Sequence, residues 1–240
     1  FVPSRGLGDV YKRQLWKDVD GVLSINPRWG VRAEPIPYLG YDEARELSRM
    51  DAPVIHHTTV LPIRDHGIPI EVRNLHSKLD SYAPTIIGPG IIDSNQLKAI
   101  GCMRSIAKIT AEVADVEKQS KVLGQMLLSL DKENITCWSV ESSQTRIEIV
   151  VSQQQLTIAE GIVGNLSEIS NVDYYSCLIS FIGTNDLDVV YDRLKKTNVE
   201  YSDLEYLNST KLSVQFVANT EDIKLLMKQL SMIIVETSSA

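Results

Sequence analysis

Leu130-Asp131-Lys132-Glu133-Asn134-Ile135 and Leu194-Lys195-Lys196-Thr197-Asn198-Val199 are two renderings of one pattern. The pattern continues, because Thr145-Arg146-Ile147-Glu148-Ile149 is echoed by Thr210-Lys211-Leu212-Ser213-Val214. The offsets, 64 and then 65 residues, are nearly constant, as duplication of a structural unit gives. Each copy predicts the same elements. A strand comes first, at 106–113 and 175–183. A helix follows, with Val122, Leu123, Met126, Leu127 and Leu130 on one face in the first copy and Leu187, Val190 and Leu194 in the second. Two strands come next, the latter alternating as Ile147, Ile149, Val151 and as Leu212, Val214, Phe216, and then a second helix. With a closing strand this is βαββαβ, the ferredoxin-like split βαβ.

Composition sets the class around that repeat. The 240 residues are 43% hydrophobic and 23% charged, values of an ordinary globular chain. No apolar run approaches a membrane span, and the start is unlike a secretory signal, so a cytoplasmic protein with no membrane partner is expected. Cys102, Cys137 and Cys177 are odd in number and widely spaced, which predicts reduced thiols. Residues 1–90 carry 11 Lys/Arg and 11 Asp/Glu, so the net charge of −7 falls wholly on the remainder. An acidic C-terminal part without a basic stripe argues against nucleic acid as a partner. The charge break coincides with Gly88-Pro89-Gly90, a turn-forming triplet expected to join two domains.

Upstream, residues 1–14 lack periodicity, and Ser4 to Gln14 resembles a translated sequencing adapter; they are set aside as a non-native tail. From Leu15, a short strand leads into a loop rich in Asp, Gly, Asn and Pro. A polar helix is predicted over Tyr41 to Arg49, a further short helix over Thr58 to Asp65, and a strand through Ile68-Pro69-Ile70-Glu71-Val72. Alternating strand and helix predicts an α/β layer. Adjacent His56 and His57, even with His66, lack a spaced acidic or cysteine partner, so no metal site is expected.

WKDVDGV and NPR (from Trp16 to Arg28), YDEARELSRMDAPVIHHTTVLPI (from Tyr41) and GIPIEVRN (from Gly67) resemble, in order and spacing, the C-terminal portion of the aspartate kinase catalytic domain. The resemblance implies that Lys17, Asp18 and Arg28 contact nucleotide and that Val54 supplies backbone near the base. The chain departs from the family at Leu23, usually aromatic. It departs again in DAPVIHH, where Asp51, Pro53 and His57 replace the Gly, Lys and Pro of GAKVLHP. Proline supplies neither an ammonium nor a backbone donor.

Two split βαβ units behind such a segment resemble the tandem ACT domains of the same family. There the first unit is inserted into the second, so residues 97–102 are expected to complete the second unit's sheet. The expected organisation is α/β throughout. A 1–14 tail precedes the C-terminal part of an amino acid kinase-type sheet (15–90), then ACT domain 1 (97–170, with the swapped strand 97–102) and ACT domain 2 (171–240). Effector contacts in the family map onto Ser142, Ser143 and Gln144. Trp138 stands where lysine-sensing members carry Asp, and its alternative reading is interface packing. Threonine is therefore the expected effector in preference to lysine, and an ACT-mediated homodimer the expected assembly. Residues 97–240 are expected to fold without the kinase segment.

The resemblance implies a phosphotransferase that makes 4-phospho-L-aspartate from L-aspartate and ATP with Mg2+, at the head of lysine, threonine and methionine synthesis. Phosphoryl transfer needs a glycine-rich loop with a lysine over the phosphates. No KFGG-like segment occurs in the sequence, so no catalytic residue is assigned and these residues alone are expected to be inactive. The alternatives are a non-catalytic regulatory ACT subunit and a catalytically dead paralogue retained for amino-acid sensing or oligomerisation.

Overall fold

In the computed structural model the described residues are 12–50, 63–76, 83–90, 95–197, 199 and 203–235. They form two sheets. The smaller has four strands, β1 (Arg13–Lys17), β2 (Tyr38–Gly40), β3 (Ile70–Asn74) and β4 (Thr85–Gly88), in the order β1-β3-β4-β2. β1 and β3 run parallel, as do β2 and β4, while β3 and β4 are antiparallel. Helix α1 (Tyr41–Arg49) follows β2 directly. The core of this segment is Val22, Leu39, Leu47, Ile70, Val72 and Ile87, all buried. The predicted strand at 15 begins two residues earlier, because Arg13 and Gln14 pair with Ile70 and Glu71. Pro69 stays outside β3 and contributes only its carbonyl, which accepts from the Arg13 N–H at 2.9 Å.

The larger sheet has six strands ordered β6-β7-β5-β8-β10-β9. These are β5 (Asn95–Glu112), β6 (Ser139–Ser142), β7 (Arg146–Ser152), β8 (Glu168–Thr184), β9 (Leu204–Ser209) and β10 (Ser213–Ala218). The connecting helices are α2 (Gln119–Lys132), α3 (Leu156–Gly164), α4 (Leu187–Leu194) and α5 (Ile223–Val235). The first unit takes the second half of β5, then β6, β7 and the first half of β8. The second takes the rest of β8, then β9, β10 and the first half of β5. Each half-sheet thus has the interleaved strand order of a split βαβ.

Residues 97–102 do complete the second unit's sheet, yet not as a separate strand. They run on into the strand predicted at 106–113 as one 18-residue β5, and the expected 170/171 boundary falls inside the 17-residue β8. The two long strands pair from Ala99↔Ile182 to Glu112↔Glu168, so the hydrogen-bond ladder passes from one unit to the other. The junction is marked by Ser105, whose φ is 54°. A non-glycine residue in that left-handed region kinks the strand. The halves close on each other: the outer strands β6 and β9 meet where Asn208 donates to Ser139, and Lys108 reaches Glu205 at 3.0 Å.

Helices α2 and α3 cover Ala107, Ile109, Ile147, Ile149 and Val151. Helices α4 and α5 cover Leu97, Ile100, Ile179, Phe181, Val214 and Phe216, with the two phenylalanines edge to face at 5.6 Å. β10 differs from its predicted alternation, since Ser213 through Ala218 are all buried and Leu212 lies ahead of the strand. On the second face Ser213 meets Glu46 of α1, and Val217 packs in a cluster with Met50, Ile106, Val150 and Leu207.

Candidate functional site

Where a parallel pair ends, the carboxyl edge of the sheet is the place for a ligand in an open α/β fold. The carboxyl ends of β1 and β3 bring together Lys17, Asp18, Asp20 and Asn74. Lys17 pairs in register with Asn74, and its carbonyl accepts from the Leu75 N–H. The Asn74 amide donates to Asp20 Oδ1 at 2.7 Å, fixing the loop after β1. Burial pulls the Lys17 ammonium below its usual range, and neighbouring Asp18 works the other way. A half-buried cation beside a positioned carboxylate and amide can recognise phosphate or ribose oxygens. It holds no device for moving a phosphoryl group.

Arg28 is placed differently. It is exposed on a 3-10 turn (Pro27–Trp29) capped by Asn26, and next to it Trp29 is buried in the core under α5. Leu23 forms a bridge to Pro35. Val54, like Pro53 and the paired histidines, lies outside the described residues. Among the described residues no cluster of three or more His, Cys, Asp or Glu could hold a metal.

Ser142 ends β6, and Ser143 and Gln144 form the turn to β7, all three exposed. Ser143 N–H donates to the Arg146 carbonyl at 2.8 Å, and the Gln119 side chain at the start of α2 donates to the Ser143 carbonyl at 2.7 Å. The helix-opening turn at Asp115 is thereby joined to this hairpin. Trp138 is turned inward, packed beside Met50, Ile106, Val150 and Leu207, with the Arg49 guanidinium 5.2 Å from its ring centroid.

Sequence reasoning passed over the junction between the two sheets. Glu43 closes the start of α1 by accepting from the Gly40 N–H at 2.7 Å, and both its oxygens accept from Lys98 Nζ at 2.8 and 2.9 Å. Both side chains are almost fully buried. One turn on, Glu46 accepts from the hydroxyls of Ser180 and Ser213. At the end of the helix Met50 rests on Gly101, where an added Cβ would come within 2.5 Å of the Met50 Cβ. The face of β5, β8 and β10 under α1 carries the small residues Ala99, Gly101, Ser180 and Ser213 beside Ile182, and Gly101 in particular lets the end of the helix approach closely. A hollow of about 370 Å3 opens beside it, lined by Arg45, Glu46, Arg49, Trp138, Lys211 and Gln215 among others. The available signal was a lysine inside an otherwise apolar strand, Leu97-Lys98-Ala99-Ile100, which demands a buried acid.

This architecture is a segment of an amino acid kinase sheet locked to a pair of interleaved ACT units. Residues 12–74 match the model of the amino acid kinase family. The chain is similar to chloroplastic aspartokinase 3 of Arabidopsis thaliana, 26% identical over 246 residues that cover 94% of this chain and 43% of that protein. In fold it is similar to the Clostridium acetobutylicum aspartate kinase, with TM-score 0.72 and 19% identity over 92% of this chain and 54% of that one. It is likewise similar to E. coli aspartokinase III in complex with aspartate and ADP, with TM-score 0.70 and 20% identity over 94% and 52%. The chain thus resembles aspartate kinases in sequence and in fold, and it spans less than half the length of the curated relatives it matches.

Proposed function

We propose that these residues serve an ATP-dependent aspartate kinase, as the nucleotide-side edge of its catalytic sheet together with the ACT module that regulates it. The observation that carries this reading is α1, which belongs to the kinase segment yet is held on the ACT sheet by Glu43–Lys98 and by Glu46. A change in that sheet reaches the catalytic segment through a rigid, buried contact. The same docking favours the kinase over a free-standing regulatory chain, which would have no use for the four-stranded sheet.

On this reading Lys17 and Asp18 face the nucleotide with Arg28 and Val54 contributing from the loops, ATP enters with Mg2+, and L-aspartate accepts the phosphoryl group. The phosphate-gripping loop is not among the 240 residues, so the catalytic residues lie elsewhere in the enzyme. The effector is threonine in preference to lysine, bound near Ser142, Ser143 and Gln144. The module pairs as a homodimer, and the setting is cytoplasmic. Among the described residues no helix is long and apolar enough to cross a membrane.

The experiment joins residues 12–240 to the N-terminal half of the Arabidopsis aspartokinase 3 catalytic domain and measures aspartyl hydroxamate formation. The chimera is expected to form hydroxamate only with ATP and aspartate together, and the 240-residue chain alone to form none. A folded chimera without activity, or an active 240-residue chain, would overturn the reading.

A further inference from the structure

The start of β4 lies at the same edge of the smaller sheet as the ends of β1 and β3, because β4 runs antiparallel to β3 and Thr85 is in register with Val72. Thr85 is fully buried there, beside a core built from Val22, Leu39, Val72 and Ile87. Its hydroxyl accepts from the Val22 N–H at 2.8 Å, a buried bond between residues 63 apart in sequence. Gly21, with a φ of 99°, lies so close that an added Cβ would overlap the Thr85 hydroxyl. Upstream, Lys17 sits in the β1–β3 ladder opposite Asn74, and Asp20 accepts from the Asn74 amide. Downstream, the Val22 carbonyl accepts from the Ile36 N–H at 2.8 Å. The loop that carries Asp18 therefore runs between two fixed points, the end of β3 and the Thr85 hydroxyl. A buried backbone N–H must have a partner, and many acceptors could serve that need. A β-branched side chain with a stiff χ1, placed on a core strand, adds a fixed distance between loop and sheet.

We propose that Thr85 is a positioning residue for the nucleotide: by accepting the Val22 N–H it sets the pose of the loop 18–21, and it acts on nucleotide affinity without touching the ligand. This rests on the reading of Lys17 and Asp18 as nucleotide contacts. A loop already held in its binding pose costs the ligand no ordering. Without the acceptor the Val22 N–H is left buried and unpaired, and the loop must shift to find another partner. The hydroxyl carries the effect, not the bulk of the side chain. Thr85→Val keeps the shape and removes the acceptor, whereas Thr85→Ser keeps the acceptor and removes a methyl group.

The test titrates the 240-residue chain with ATP and Mg2+ by calorimetry and follows the Val22 amide by hydrogen exchange. The parent is expected to bind, Thr85→Val to bind about tenfold or more weakly, and Thr85→Ser to stay within about threefold of the parent. In the parent, MgATP at about ten times its Kd is expected to slow exchange of the Val22 amide about tenfold, because the opening that frees this N–H also dismantles the loop that the ligand needs. That measurement uses no variant, so it decides the matter if Thr85→Val fails to fold. A folded Thr85→Val chain with unchanged affinity, a Thr85→Ser chain as weak as Thr85→Val, or a Val22 amide indifferent to bound MgATP would each overturn the proposal and leave the nucleotide reading standing. A parent chain that binds no MgATP would overturn the nucleotide reading, and the role of Thr85 with it.

Discussion

Glu71 shows how much one side chain in the kinase segment depends on its neighbours. It sits in β3, nearly buried, and accepts from Arg73 Nε at 3.1 Å, Gln14 Nε2 at 2.7 Å and Lys12 Nζ at 3.1 Å. The bond from Arg73, followed by those from Gln14 and Lys12, outweighs burial and holds the carboxyl down to about 2. A folded-state value below the unfolded one means that the stabilisation is complete above the unfolded pKa of about 4.5 and is lost as pH falls through about 2. Glu71→Gln is therefore expected to lower stability by about 1–3 kcal/mol at pH 7. The gap between variant and parent should narrow steadily below pH 4.5, as measured by denaturant titrations across that range. A gap unchanged at pH 3 would mean that Glu71 acts through packing and not through its charge. Lys108 in the larger sheet has the opposite sign: burial alone would lower it, but Glu205 and Tyr175 carry it above its usual range.

At the scale of elements, the decisive contact is the approach of α1 to β5. Gly101 has no side chain because the Met50 Cβ already occupies the space beside it. Gly101→Ala is expected to destabilise the chain by about 1–3 kcal/mol through overpacking, with partial recovery when Met50→Gly, which removes the clashing Cβ, is added. Thermal melts of the two single variants and the double variant would reveal the coupling, and strictly additive effects would place the two residues out of contact. These elements also mark where the sequence was readable. The repeat, the helical faces at Met126 and Leu130, and the α1 boundaries are local patterns, set by periodicity and by the acids at the helix start. The kink within the continuous β5 was hidden because Met103-Arg104-Ser105 carries no glycine or proline to announce it, and Ser105 takes its positive φ from the tertiary structure. The docking residues were hidden for a different reason. Glu43 and Lys98 are 55 residues apart, and nothing in the sequence says which buried lysine an acid will meet. Even the family resemblance pointed to exposed Ser142, Ser143 and Gln144 and left the junction unread.

Over the whole molecule, the expectation that residues 97–240 stand alone conflicts with the core. Ile25 and Trp29, from the loop after β1, are buried among Leu97, Phe181, Phe216, Leu226 and Leu230. Arg104 of β5 lies 4.3 Å from the Trp29 ring, and the Ile100 N–H donates to the Ser24 carbonyl at 2.8 Å. From the other direction Ala99 and Ile182 belong to the core of the kinase segment. Each part supplies packing atoms to the other, so their unfolding should be one event and not two. Trp29→Ala removes a large side chain from the shared core and is expected to cost about 3–5 kcal/mol. Because the core is shared, it should shift the melting of both sheets together. A chain beginning at residue 95 should melt well below the 12–240 chain and bind an apolar dye. Without the first segment, the face under α1 and the floor beneath Trp29 lie open to solvent. Calorimetry of the three chains decides the matter. Two separate transitions in the 12–240 chain, or an unchanged midpoint for the chain starting at 95, would show that the sheets only touch. A single transition that moves with Trp29 would show that the two sheets fold as one cooperative unit around the shared core.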